Sequence, residues 1–138
     1  MKHTTILLAA VLTFNFQLST FNSFAQSWSA LGTGMNNDVW ALCWGGSNLY
    51  AGGAFTTAGG VSANYVAKWD GTTWSTLGTG MNGSVYALAY DGANLYAGGA
   101  FTTAGGVSAN YIAKWDGSTW SALSTEPDYD VYALTYGG

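Results

Sequence analysis

The 138-residue chain holds one small domain at most, with 20 glycines, 16% aromatic residues and only 7% charged ones. Such a composition is too apolar and too weakly charged for disorder, and it suits an all-β protein with tight turns. From residue 26 onward Lys68 and Lys114 are the only cations against seven acids, a formal charge of −5, which excludes nucleic acid and anionic membrane surfaces as partners.

The first 25 residues read as a secretory signal peptide. Lys2 and His3 give a positive start, Ile6 to Leu12 an apolar run, and Ser23-Phe24-Ala25 a small-residue cleavage site after Ala25. Asn15, Gln17, Ser19 and Thr20 interrupt the apolar stretch well short of the ~20 residues that span a bilayer. The expectation is an exported protein, extracellular or at the cell surface, with no membrane span after cleavage. One cysteine remains, Cys43, so no internal disulfide can form.

A repeat dominates everything after the signal. Trp28, Trp74 and Trp120 stand 46 residues apart; residues 28–73 match 74–119 without a gap at 36 of 46 positions, and a third copy runs from Trp120 to Gly138. From Asn48 to Tyr65 the match to Asn94–Tyr111 is complete. In the second copy Val85–Tyr90 is apolar throughout and predicts a strand buried on both faces. Asp91-Gly92-Ala93-Asn94 is a turn. Leu95–Phe101 is a second strand, whose Gly98-Gly99 pair marks a close approach of backbones. A polar, glycine-rich loop follows from Thr102 to about Ser108. Asn110–Trp115 is a third strand, Asp116-Gly117-Ser118 a tight turn, and Thr119–Leu123 a fourth strand with Trp120 inward by the period of two. A loop of about eight residues leads to the next first strand. On the same pattern the chain opens on a fourth-type strand, Trp28–Leu31, and closes on a first-type strand, Val131–Tyr136.

Four antiparallel strands in 46 residues is the size of a propeller blade. The expected fold class is therefore all-β: four-stranded antiparallel blades of β-propeller type, incomplete at about two and a half blades. Helical repeats of this length would show apolar spacings of three and four with fewer glycines.

The order of features resembles the Kelch repeat: an apolar strand (Val39–Trp44, Val85–Tyr90), a second strand ending in Gly-Gly (Gly52-Gly53, Gly98-Gly99), then a spaced Tyr and Trp (Tyr65 and Trp74, Tyr111 and Trp120). "LYAGGAFTTAGG" followed by "AKWDG" and "TWS" is also similar to repeats of bacterial secreted propellers. The resemblance covers residues 28–138 and implies an interaction or scaffold module. Galactose oxidase shares the Kelch-like propeller, but its copper centre needs histidine and this chain departs from it there.

Beyond the signal there is no histidine and no arginine. A Ser-His-Asp or Cys-His nucleophile cannot be assembled, the usual zinc sites lack ligands, and a sialidase-like arginine cluster is missing. A two-carboxylate glycosidase is not excluded by composition. Asp70, Asp91 and Asp116 sit beside glycine and read as turn residues that bond their own backbone. Asp128 and Asp130 are oxygen donors of the type calcium takes, but two acids are too few, so no metal and no cofactor is expected. The recurring tryptophans read as packing, with stacking on sugars as the functional alternative. Loops entering each first strand differ between copies while the strands match, and loops on a rigid scaffold carry binding. The candidate ligand-binding residues are accordingly Asn36, Asn37 and Asp38, Asn82 and Ser84, and Asp128 and Asp130. The function expected is a non-catalytic secreted or cell-surface propeller module that binds protein or glycan, and copies of the chain are candidates to complete a ring. The alternatives are a truncated propeller piece of a carbohydrate-active enzyme and a gene fragment without function.

Overall fold

A computed structural model describes residues 29–137, so the signal-peptide reading and Trp28 lie outside the described residues. The protein is all-β, built of antiparallel sheets of two and four strands, with no helix among the described residues. In the first unit β1 (Val39–Gly45), β2 (Asn48–Gly53), β5 (Val66–Trp69) and β6 (Trp74–Thr76) form one meander in that order. The second unit repeats it with β7 (Val85–Tyr90), β8 (Leu95–Gly99), β11 (Ile112–Trp115) and β12 (Trp120–Ala122). Neither sheet closes on itself.

The segment expected as a polar loop is itself folded. In each unit it makes a small hairpin, β3 (Thr57–Ala58) with β4 (Val61–Ser62) and β9 (Thr103–Ala104) with β10 (Val107–Ser108). Its two-residue turn is Gly59-Gly60 or Gly105-Gly106, all four with positive φ (58°, 81°, 60° and 83°), a pair of conformations that glycine adopts without strain. Single bridges from Met35 to Ala58 and from Met81 to Ala104 pin each hairpin to the loop entering the unit.

Where the two units meet, the glycine pair does what its sequence implies. A Cβ on Gly52 would lie 2.5 Å from Val85 Cγ1 and 3.5 Å from Leu88 Cδ1, so β7 of the second unit seats directly on β2 of the first. A Cβ on Gly53 would collide with the Asp38 carbonyl oxygen. The largest buried cluster spans this junction and includes Tyr50, Val66, Leu77, Val85, Leu95 and Phe101. A second cluster inside the first unit gathers Ala51, Phe55, Ala58, Ala63, Ala67 and Trp74.

Two end strands expected from the sequence are not formed. Residues 131–136 pair in no ladder, and neither do residues 29–31. For residues 131–136 the partner run, the counterpart of Leu95–Gly99, is not within the 138 residues. Packing survives nonetheless: Val131 Cγ1 approaches Gly98 as Val85 does Gly52, and the Val131 amide donates to Gly99 O at 3.2 Å. The expectation that first strands are buried on both faces also needs correction. In β7 burial alternates residue by residue, and most of β1 is exposed, since no sheet among the described residues covers its outer face.

Candidate functional site

The register of β1 against β2 skips between Val39 and Ala41, and that of β7 against β8 skips between Val85 and Ala87. The extra residues are Trp40 and Tyr86. A bulge of this kind turns its side chain away from the alternation of the strand. It brings the ring of Trp40 to 5.2 Å from that of Tyr86, tilted by 45°, and Tyr86 stacks on Tyr132 at 5.0 Å and 6°. Positions 40, 86 and 132 are one position of the repeat, so three units contribute one ring each to a continuous aromatic ladder. Its ends are open to solvent, Trp40 at 47% exposure and Tyr132 at 71%.

The candidate loop residues precede these rings. Asn36 and Asn82 are tied to the fold. Asn36 Oδ1 accepts from the amides of Thr56 (2.9 Å) and Thr57 (3.0 Å), and its Nδ2 donates to Thr56 Oγ1 (2.9 Å). Asn82 repeats the clamp on Thr102 and Thr103. Asn37 Oδ1 accepts from the Asp38 amide at 2.8 Å. Asp38, Ser84 and Asp130 each stand two residues before a ladder ring, with Asp38 exposed and the other two half-buried. Asp130 Oδ2 accepts from the Tyr132 hydroxyl at 3.3 Å, and the carboxylate charge raises the phenol above its usual pKa. Asp128 is exposed at the position that Asn36 and Asn82 hold in the other units. Glu126 is engaged by Asn110, accepting from its amide at 3.0 Å and its Nδ2 at 2.9 Å.

The remaining acids are turn residues, as their glycine neighbours imply. Asp70 Oδ1 accepts from the amides of Thr72 and Thr73, Asp116 Oδ1 from those of Ser118 and Thr119, and Asp91 Oδ1 from those of Ala93 and Asn94. These backbone bonds favour the ionised form and hold all three carboxyls well below the usual range. Among the described residues no group of three His, Cys, Asp or Glu side chains is placed to hold a metal ion. The Cys43 thiol is half-buried against the core, and burial raises its pKa. Among the described residues no helix is long and apolar enough to cross a membrane.

The tryptophans divide by position. Trp74 and Trp120 are buried, and each indole Nε1 donates to a backbone carbonyl, of Leu31 at 2.9 Å and of Leu77 at 2.8 Å. Trp69 and Trp115 are half-buried and tilt against them at 5.4 and 5.3 Å. The ladder itself escapes a reading by alternation, because the bulge changes parity inside the strand. The signal that finds it is the alignment of copies, which puts an aromatic at positions 40, 86 and 132.

Comparison with known proteins returns no match: no family model, no curated protein and no solved structure aligns with the chain.

Proposed function

We propose that the chain is a non-catalytic binding module of the cell exterior, secreted or held at the surface. In this reading the 46-residue units stack as blades of a Kelch-like β-propeller, and a protein or glycan ligand lies along the aromatic ladder. The observation that carries it is the ladder itself. Three rings from equivalent positions meet in an open row beside the loops that vary between copies, and aromatic rings are the side chains that dominate recognition surfaces. Support for the propeller architecture comes from the junctions: Val85 and Leu88 on Gly52, then Val131 and Leu134 on Gly98, are the same contact made twice. The non-catalytic reading is supported by the lack of histidine and arginine after residue 25 and by the engagement of Asp70, Asp91 and Asp116 in turns.

The test is a glycan array and a peptide array probed with purified protein, with every hit titrated against Trp40→Ala and Tyr86→Ala. A loss of about 10-fold or more with unchanged circular dichroism is expected. Hits that bind both variants as they bind the parent remove the ladder as the site, and turnover of a bound glycan defeats the non-catalytic reading. Ring completion by further copies has its own check. The exposed Val39, Leu42 and Trp44 correspond in the repeat to Val85, Leu88 and Tyr90, which seat one unit on another. Light scattering behind size exclusion is expected to give a discrete oligomer; a monodisperse monomer takes ring completion out of the reading.

A further inference from the structure

Away from the ladder each unit carries the same solvent-facing cavity beside its outermost strand, of about 320 Å³ in the first unit and 210 Å³ in the second. The first is framed by Gly32, Gly59, Val61, Trp69, Thr72 and Thr73, with Trp74 at its back. Each of these seven residues has its counterpart 46 positions on in the lining of the second cavity. One position differs, Thr72 against Ser118, and the hydroxyl is kept. Neither cavity needs a neighbouring unit: the entering loop, the small hairpin and the last two strands of one unit make it whole. The outer face of β1, by contrast, has no partner strand or sheet among the described residues.

The walls are fixed and chemically specific. Trp74 is anchored by its bond to Leu31 O, and the half-buried Trp69 leans on it at 50°, so the aromatic wall is held in place. A Cβ on Gly59 would stand 2.7 Å from Trp74 Cδ1, so bare backbone keeps this side open. At the rim Val61 and Val107 are 41% and 46% exposed, apolar side chains kept at the surface in both units. Two hydroxyl residues are common to both linings, Thr72 and Thr73 in the first unit and Ser118 and Thr119 in the second, and the first cavity adds Thr33. Thr72 Oγ1 donates to Asp70 Oδ1 at 2.8 Å and Thr73 Oγ1 to Asp70 Oδ2 at 3.2 Å; Ser118 and Thr119 do the same with Asp116 at 2.9 and 3.1 Å. Each of these four hydroxyls has one hydrogen, and that hydrogen is committed to the aspartate. What these side chains retain for a ligand is acceptor lone pairs. Among the described residues no titratable side chain is in the lining.

An indole wall, an apolar rim and hydroxyl acceptors with no charge call for a neutral ligand with a flat apolar face and hydroxyl donors. The volumes fall at or below the lower end of the ~300–1,000 Å³ of drug-sized sites, which suits one six-membered ring. We infer that each unit carries a subsite for a single neutral pyranose ring on this outer surface, so that the chain grips a polysaccharide at two points. The inference is independent of the ladder as a ligand site.

Two weak subsites on one rigid body multiply on a polymer and not on a short sugar. The probes are cellohexaose, laminarihexaose and xylohexaose in solution, followed by tryptophan fluorescence and calorimetry, and the corresponding insoluble polysaccharides in pull-down. The variants are Val61→Asp and Val107→Asp, exposed rim changes that leave the core untouched, singly and together, with Trp40→Ala as the control. The expected result is a stoichiometry of two for one of the hexaoses. Either single variant reduces it to one and weakens retention on the polymer by about 100-fold, and the double variant abolishes both. Binding of none of the three sugars at millimolar concentration overturns the inference. So does binding that survives the double variant. Binding that is lost with Trp40→Ala and kept in the double variant also overturns it, and moves the glycan to the ladder.

Discussion

β1 and β7 are nearly the same strand in different company. Val39-Trp40-Ala41-Leu42-Cys43-Trp44 aligns with Val85-Tyr86-Ala87-Leu88-Ala89-Tyr90, and both strands carry the same bulge. Val85 is wholly buried and Val39 is 40% exposed; Tyr90 packs against Tyr50 at 6.3 Å while Trp44 is 68% exposed. The sequence of a strand thus sets its pleat and its bulge, whereas its burial is set by the sheet that stands against it. Apolar residues at these positions are a junction surface, used at β7 and open at β1.

The comparison is broken most forcefully by filling the junction. Gly52→Ala places a methyl against the wholly buried Val85 and is expected to cost about 3 kcal/mol, the upper end of overpacking costs. The same change at Gly98 meets Val131, which belongs to a segment held in no ladder, and is expected to cost less than half as much. Urea midpoints at constant m-value decide it, and equal losses would mean that residues 131–136 are as rigid as β7. Next in size is trimming: Val85→Ala is expected to cost about 2 kcal/mol from lost burial and a residual cavity, against less than about 0.5 kcal/mol for Val39→Ala. Combining Gly52→Ala with Val85→Ala gives back part of the loss, because each change makes room for the other; strict additivity would show that the two residues do not meet.

The smallest effect is acidic. Asp70, Asp91 and Asp116 have folded pKa values lowered below the unfolded value of about 3.9. Their contribution is therefore fully present above that value and is lost as the pH falls through it towards the folded values. Stability is expected to be level down to about pH 5 and to decline below about pH 4. Asp91→Gly, which copies Gly45 of the first unit, should make the decline shallower. An unchanged slope in urea midpoints between about pH 2 and 6 would show that the Asp91 turn does not couple to folding.

Much of the fold was legible because its signals are local. Val85–Tyr90 was expected as a strand with those same ends, Gly98-Gly99 as a close approach, and the three aspartates as turn formers. The small hairpins were not legible as strands, since each arm has two residues and only the paired turn glycines announce them. The ladder depends on a bulge that no period-of-two reading contains. At the candidate site, Asn36 and Asn82 read as free polar loop residues, yet their bonds reach 20 and 21 residues along the chain to a turn that sequence spacing does not locate.

The two indole bonds carry a consequence for how such a chain can change its length. Leu31 to Trp74 and Leu77 to Trp120 are each a span of 43 residues, and the spans do not overlap. Each indole bond ties a unit to its own entrance, and neither reaches into the next unit. An in-frame duplication or deletion of 46 codons therefore adds or removes one complete stitch and cuts none. A gene of this kind can lengthen or shorten by recombination between its near-identical copies, and each product inherits whole units.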